Sequence, residues 1–106
     1  MPKGRCNKGS ARTMFERAIL AVESETGVEW ERMLSRKRGG HAAGAARSLA
    51  MAVSVAAGIP VFLVGRMFCR SWATVDEARA ETLARCLADQ AERDRFIRIL
   101  YQVLGK

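Results

Sequence analysis

Histidine, proline and cysteine are scarce in this 106-residue chain, and each scarcity removes a class of function. His41 is the single histidine, and Cys6, Cys69 and Cys86 are widely separated, with no Cys-x-x-Cys pair. A structural zinc site takes four His or Cys ligands at close spacing, so no metal is expected. The same three cysteines make no disulfide framework and read as free thiols in a reducing compartment, Cys86 at a buried helical position and Cys69 in an accessible turn. With one histidine, no acid pair in an evident cleft and no Gly-x-x-x-x-Gly-Lys-Ser/Thr loop, the chain reads as a non-enzyme that needs no cofactor. Only Pro2 and Pro60 interrupt it, Ala dominates and β-branched residues are few, which favours helix throughout. There is no strand-like alternation and no internal repeat. The N-terminus is basic without an apolar core segment, so no signal peptide is expected. Residues 48–65 carry no charge, a length close to a bilayer span. They are rich in Ala, Ser and Gly, however, and Gly58-Ile59-Pro60 breaks them, so two buried helices explain them better. The expected location is the cytoplasm, in association with the nucleoid.

What is abundant is positive charge and apolar surface. The hydrophobic fraction is 49%, enough for one domain with one core, and the formal net charge is +7. Residues 1–70 hold 12 Lys and Arg against 5 Glu, while residues 71–106 hold 6 of each sign. The excess gathers at Lys3, Arg5, Lys8 and Arg12 and around Arg36, Lys37, Arg38 and Arg47. Two basic segments of this kind suit a polyanion. Glu23, Glu25, Glu29 and Glu31 form the opposite patch, read as a solvated helix face or as a docking surface for a basic partner.

Periodicity predicts an all-α domain of about six helices. Residues 1–10 read as a flexible basic tail and 11–106 as the folded unit. Ser10 or Thr13 caps a first helix running to about Thr26, with Met14, Phe15, Ala18, Ile19 and Val22 inward and Gly27 as its stop. A short second helix turns Val28, Met33 and Leu34 inward, and a basic loop, 35–41, follows with glycines at 39 and 40. A third helix covers about Ala42 to Ala57, with Ala43, Ala46, Leu49, Ala50, Val53 and Ala57 as its stripe, and a last one covers about Asp89 to Leu104, with Phe96, Ile99, Leu100 and Val103 inward.

Between them lie two helices joined by a tight turn. Apolar residues recur at Val61, Val64 and Phe68, then at Val75 and Ala78, across the polar break Cys69-Arg70-Ser71. Ser71 suits an N-cap, and Asp76 and Glu77 lie early in the second helix, where its dipole favours acids. This is the pattern of a helix-turn-helix, whose second helix enters the DNA major groove. In a basic chain it makes double-stranded DNA the expected partner.

Several stretches, in order, resemble the C-terminal DNA-binding domain of the bacterial replication initiator DnaA, a domain with Trp-repressor-like helical architecture. Thr26-Gly27-Val28 followed by Met33-Leu34-Ser35-Arg36-Lys37-Arg38 is similar to that family's opening helix pair and basic loop. Ala46-Arg47-Ser48-Leu49-Ala50-Met51 resembles its Ala-Arg-Gln-Ile-Ala-Met, and Val64-Gly65-Arg66-Met67-Phe68 its Ile-Gly-Arg-x-Phe. Arg70-Ser71-Trp72-Ala73-Thr74-Val75 stands in the place of its Arg-Asp-His-Thr-Thr-Val signature, and Phe96-Ile97-Arg98-Ile99-Leu100 resembles the final helix of some members. The likeness covers about residues 14–104 and implies a free-standing module of the kind found in small bacterial transcription regulators, gene transfer agent activators among them. It implies no ATPase. Ser71, Trp72 and Ala73 replace the signature Asp, His and first Thr that help read the DnaA box, so a different sequence preference is expected.

The resemblance assigns DNA contacts to Arg47, to Ser48 beside it in place of the family Gln, and to Arg70 and Thr74 at the start of the recognition helix. Arg takes guanine bidentately and Thr meets a phosphate or a thymine methyl. Lys37 and Arg38 are read either as cations for the minor groove or as phosphate neutralisers. Arg66 and Arg79 are read as phosphate contacts, and Ser71 as a cap first and a phosphate ligand second. Trp72 either packs against the preceding helix or offers its face to a base or sugar. The expectation is transcription regulation, the alternative a protein-interaction module that docks to a companion transcription factor or an RNA polymerase subunit.

Overall fold

The computed structural model describes residues 3–35 and 40–105, with side chains from residue 11 onward. Six helices account for the architecture: α1 (Lys3–Thr26), α2 (Trp30–Leu34), α3 (Gly40–Ala56), α4 (Val61–Phe68), α5 (Trp72–Ala88) and α6 (Gln90–Leu104). There is no strand among the described residues. The all-α expectation and the order of the helices hold. The first helix is longer than the Ser10 or Thr13 cap predicts, because α1 continues back to Lys3.

Helix α3 is the centre, packed against each of the other five helices. Its second half is enclosed on every side: Leu49, Ala50, Met51, Ala52, Val53 and Ser54 are all buried. A helix apolar all round must be surrounded by protein, and this accounts for the uncharged stretch between Arg47 and Arg66. Ser54, the polar residue in that run, donates its hydroxyl to the Ala50 carbonyl at 2.8 Å. No helix among the described residues is long and apolar enough to cross a membrane.

The helix ends are set by local chemistry. After α3 the chain turns left-handed at Gly58 (φ 110°), and the Gly58 and Ile59 amides close the helix onto the Val55 and Ser54 carbonyls. Only glycine adopts such a backbone without strain. The Pro60 carbonyl then accepts from Leu63 and Val64, both at 3.0 Å, to start α4. Asp89 ends α5 and caps α6, its carboxylate accepting the Ala91 amide at 2.9 Å.

Two of the four residues in the early acidic patch hold the fold together. Glu23 accepts the Trp30 amide at 3.0 Å at the start of α2. Glu25 receives Nε and Nη2 of Arg98, at 2.9 and 3.0 Å, and this bidentate pair ties the end of α1 to α6. The Arg98 guanidinium, first by its hydrogen bond, holds the Glu25 carboxyl below the usual carboxylate range.

Candidate nucleic-acid interface

Helices α4 and α5 meet at a turn that the backbone itself makes tight. The Cys69 amide bonds to the Arg66 carbonyl at 3.2 Å and the Arg70 amide to the Gly65 carbonyl at 2.8 Å. This paired closure is the one left-handed residues make at helix ends. Here that residue is Cys69 (φ 56°, ψ 43°), the one non-glycine at positive φ among the described residues. Gly65 is what lets the second helix come so close. A Cβ on it would lie 2.7 Å from the Arg70 carbonyl oxygen. Ser71 then caps α5, accepting the Thr74 amide at 3.2 Å, with the two hydroxyls 3.0 Å apart.

The pair is anchored from below. Val64, Phe68, Val75 and Ala78 are buried, as their spacing predicts, and Phe68 meets the edge of Phe15 from α1 with ring centres 5.3 Å apart. The outer face at the start of α5 is left open, with Ser71, Trp72, Ala73 and Thr74 all exposed. Trp72 is 64% exposed, so of its two readings the packed one is not realised. Arg66 stands exposed on α4, beside this edge.

Two arginines expected at DNA instead turn inward. Arg70 donates Nη1 to the Phe68 and Cys69 carbonyls, at 3.1 and 3.3 Å, and Nη2 to the Ser35 carbonyl at 3.1 Å. Arg47 donates Nε to the Met33 carbonyl at 2.8 Å. Its Nη2 is enclosed without a partner among the described residues. Burial, then the neighbouring Arg70 charge, holds the Arg47 pKa below its ordinary value. The two cations therefore converge on carbonyls at the end of α2, where a helix dipole welcomes positive charge. They lock residues 33–35 to α3 and to the turn. Bidentate reading of guanine by Arg70 would require these bonds to open.

The remaining expected residues fall in different places. Ser48 is half-buried beside Arg47, in a recess between α3 and α5 that His41, Glu81 and Arg85 also line. Arg79 is exposed but paired with Asp76 at 2.7 Å. Lys37 and Arg38 lie outside the described residues, although the segment leading to them is the one Arg47 and Arg70 hold. Helix α5 itself carries Asp76, Glu77 and Glu81 against Arg79 and Arg85, so it adds no net positive charge to this face, and the exposed cation nearby in the chain is Arg66 of α4. Sequence reasoning missed the carbonyl clamp and the steric role of Gly65. The glycine was visible in Val64-Gly65-Arg66, but the oxygen it faces was not. No three of His, Cys, Asp and Glu come together as a metal site among the described residues.

Comparison of the chain with protein-family models, with curated proteins and with solved structures finds no match.

Proposed function

We propose that this protein binds double-stranded DNA through α4 and α5 and serves in transcription regulation, as a module of the DnaA C-terminal kind with a preference other than the DnaA box. The observation that carries the reading is the open N-terminal edge of α5. A glycine-dependent turn and a serine cap present Trp72, Ala73 and Thr74 outward, beside Arg66, in a chain of net charge +7. In a helix-turn-helix the N-terminal residues of the second helix contact base edges, and a Thr hydroxyl or methyl and an apolar face are among the groups that do so. In this reading Thr74 and Trp72 face the bases and Arg66 faces a phosphate. Arg70 is a positioning residue that ties the end of α2, at the Ser35 carbonyl, to the turn, and Lys37 and Arg38 supply affinity.

Fluorescence anisotropy on duplexes across a salt series tests it. With about 4 to 6 phosphate contacts, log K should fall against log salt with a slope of roughly −4 to −5. Affinity that does not change with salt refutes the reading. A DnaA-box duplex should compete no better than a scrambled one, because Ser71, Trp72 and Ala73 stand where the box readers stand in that family. Arg70→Ala should weaken selected and random duplexes alike, whereas Thr74→Ala should weaken the selected site by about 1 to 3 kcal/mol and leave random DNA nearly unchanged.

A further inference from the structure

The far half of α5 has a second face that the helix-turn-helix does not use. Arg79, Thr82, Leu83, Cys86 and Leu87 recur there at helical spacing. With Val55 of α3 and Phe96 of α6 as walls, they line a groove of about 480 Å³. That volume lies within the roughly 300–1,000 Å³ of small-ligand sites. Leu83 and Leu87 form an apolar lip, 58% and 75% exposed.

The groove also holds polar groups without partners. Thr82 is only 6% exposed, and its hydroxyl has no hydrogen-bond partner among the described residues. A hydroxyl inside a helix usually returns to the carbonyl one turn back. Thr26 does this onto Val22 and Ser54 onto Ala50. Thr82 does not, and its hydroxyl, closed to solvent as the side chain stands, meets an outside partner once the side chain rotates into the groove. Arg93 lines the same groove and makes no ion pair among the described residues, whereas Arg79, Arg85, Arg95 and Arg98 each do. Cys86 adds a soft and uncharged wall, since burial, and then Glu92, pushes its thiol pKa up.

We propose that this groove binds a small apolar carboxylic acid, with its hydrocarbon along Leu83, Leu87 and Phe96 and its carboxylate answered by Arg93 and the Thr82 hydroxyl. An anion suits Arg93, the arginine of the lining that has no ion pair among the described residues, since Arg79 is already matched by Asp76. The proposal goes beyond DNA binding and does not depend on it.

Titration of the ¹⁵N-labelled full chain with octanoate, octanol and octylammonium, each kept below micelle formation, tests it. Octanoate should shift the amides of residues 82–87, 52–56 and 93–96 saturably, with octanol about tenfold weaker and octylammonium weaker still. Arg93→Gln should reduce octanoate affinity to the octanol level without changing octanol binding. Thr82→Val, which keeps the shape and removes the hydroxyl, should weaken octanoate while leaving the amide fingerprint outside the groove unchanged. Any one of three results would overturn the proposal. One is the absence of saturable shifts on this face. Another is equal affinity for acid and alcohol with Arg93→Gln silent, which describes a bare apolar groove. The third is movement of the same amides on dilution without ligand, which places a second copy there.

Discussion

Replacing Gly65 with alanine isolates the contact on which the turn between α4 and α5 depends. A Cβ at this position would meet the Arg70 carbonyl oxygen at 2.7 Å and the Trp72 nitrogen at 3.4 Å. Both neighbours are backbone, so no side chain can swing aside. Reaching ordinary contact at 3.4 Å moves the turn by about 0.7 Å, against the 2.8 Å bond from the Arg70 amide to the Gly65 carbonyl. Overpacking against such a rigid neighbour costs about 2 to 3 kcal/mol. Alanine is better than glycine inside a helix by about 1 kcal/mol. The clash wins, and Gly65→Ala should destabilise the domain by about 1 to 2 kcal/mol and lower Tm by roughly 5 to 15 °C. Gly44→Ala is the control. Gly44 lies inside α3 with nothing within 4 Å of its added Cβ, so only the propensity gain acts there and stability should rise, by up to about 1 kcal/mol. Thermal and urea unfolding followed by circular dichroism measure both. A Gly65→Ala variant as stable as the wild type would refute the reasoning, and so would one stabilised to the same degree as Gly44→Ala.

Three further outcomes follow from the same region and from the α1–α6 contact. Cys69→Gly should stabilise by about 0.5 to 1 kcal/mol in urea unfolding, because a left-handed residue without a Cβ is unstrained, while Cys69→Ala should not. Ser71→Ala should cost about 1 kcal/mol, by removing the acceptor for the Thr74 amide at the start of α5. Glu25 has a lowered pKa when folded, so its ion pair with Arg98 stabilises the protein above the ordinary Glu value of about 4.3. The Tm advantage of wild type over Glu25→Gln should therefore be full at neutral pH, shrink as pH falls from about 4.3 through the lowered folded value, and vanish below it.

The parts of the fold that were legible in the sequence are those coded by side chains acting locally. Gly27, Gly58, Ser71 and Asp89 each mark a helix boundary by their own conformation or hydrogen bond. The stripes on α1, α3 and α6 follow from burial at helical spacing. The two-helix unit at 61–88 was legible for the same reason. The unread features depend on where main-chain oxygens lie in space. Arg47 and Arg70 were assigned DNA contacts through the resemblance, by their places beside the basic loop and at the start of the second helix. The carbonyls of Met33 and Ser35 that hold them leave no mark on residue identity. The exposure of Trp72 and Leu87 was equally hidden, since an apolar residue at helical spacing is ordinarily covered. The orphaned Thr82 hydroxyl depends on which partners α3 and α6 fail to bring to it.

The central position of α3 has a consequence for how the molecule opens. Because this helix touches all five others, the amides of Leu49 to Val53 cannot reach solvent through the loss of any single neighbour. Their hydrogen exchange should proceed only through global unfolding and report the full stability of the domain. Helix α2, five residues long, should exchange through local fluctuations far faster. The buried helix is thus the slowest clock in the protein, and the short helix held by two arginines is among the fastest.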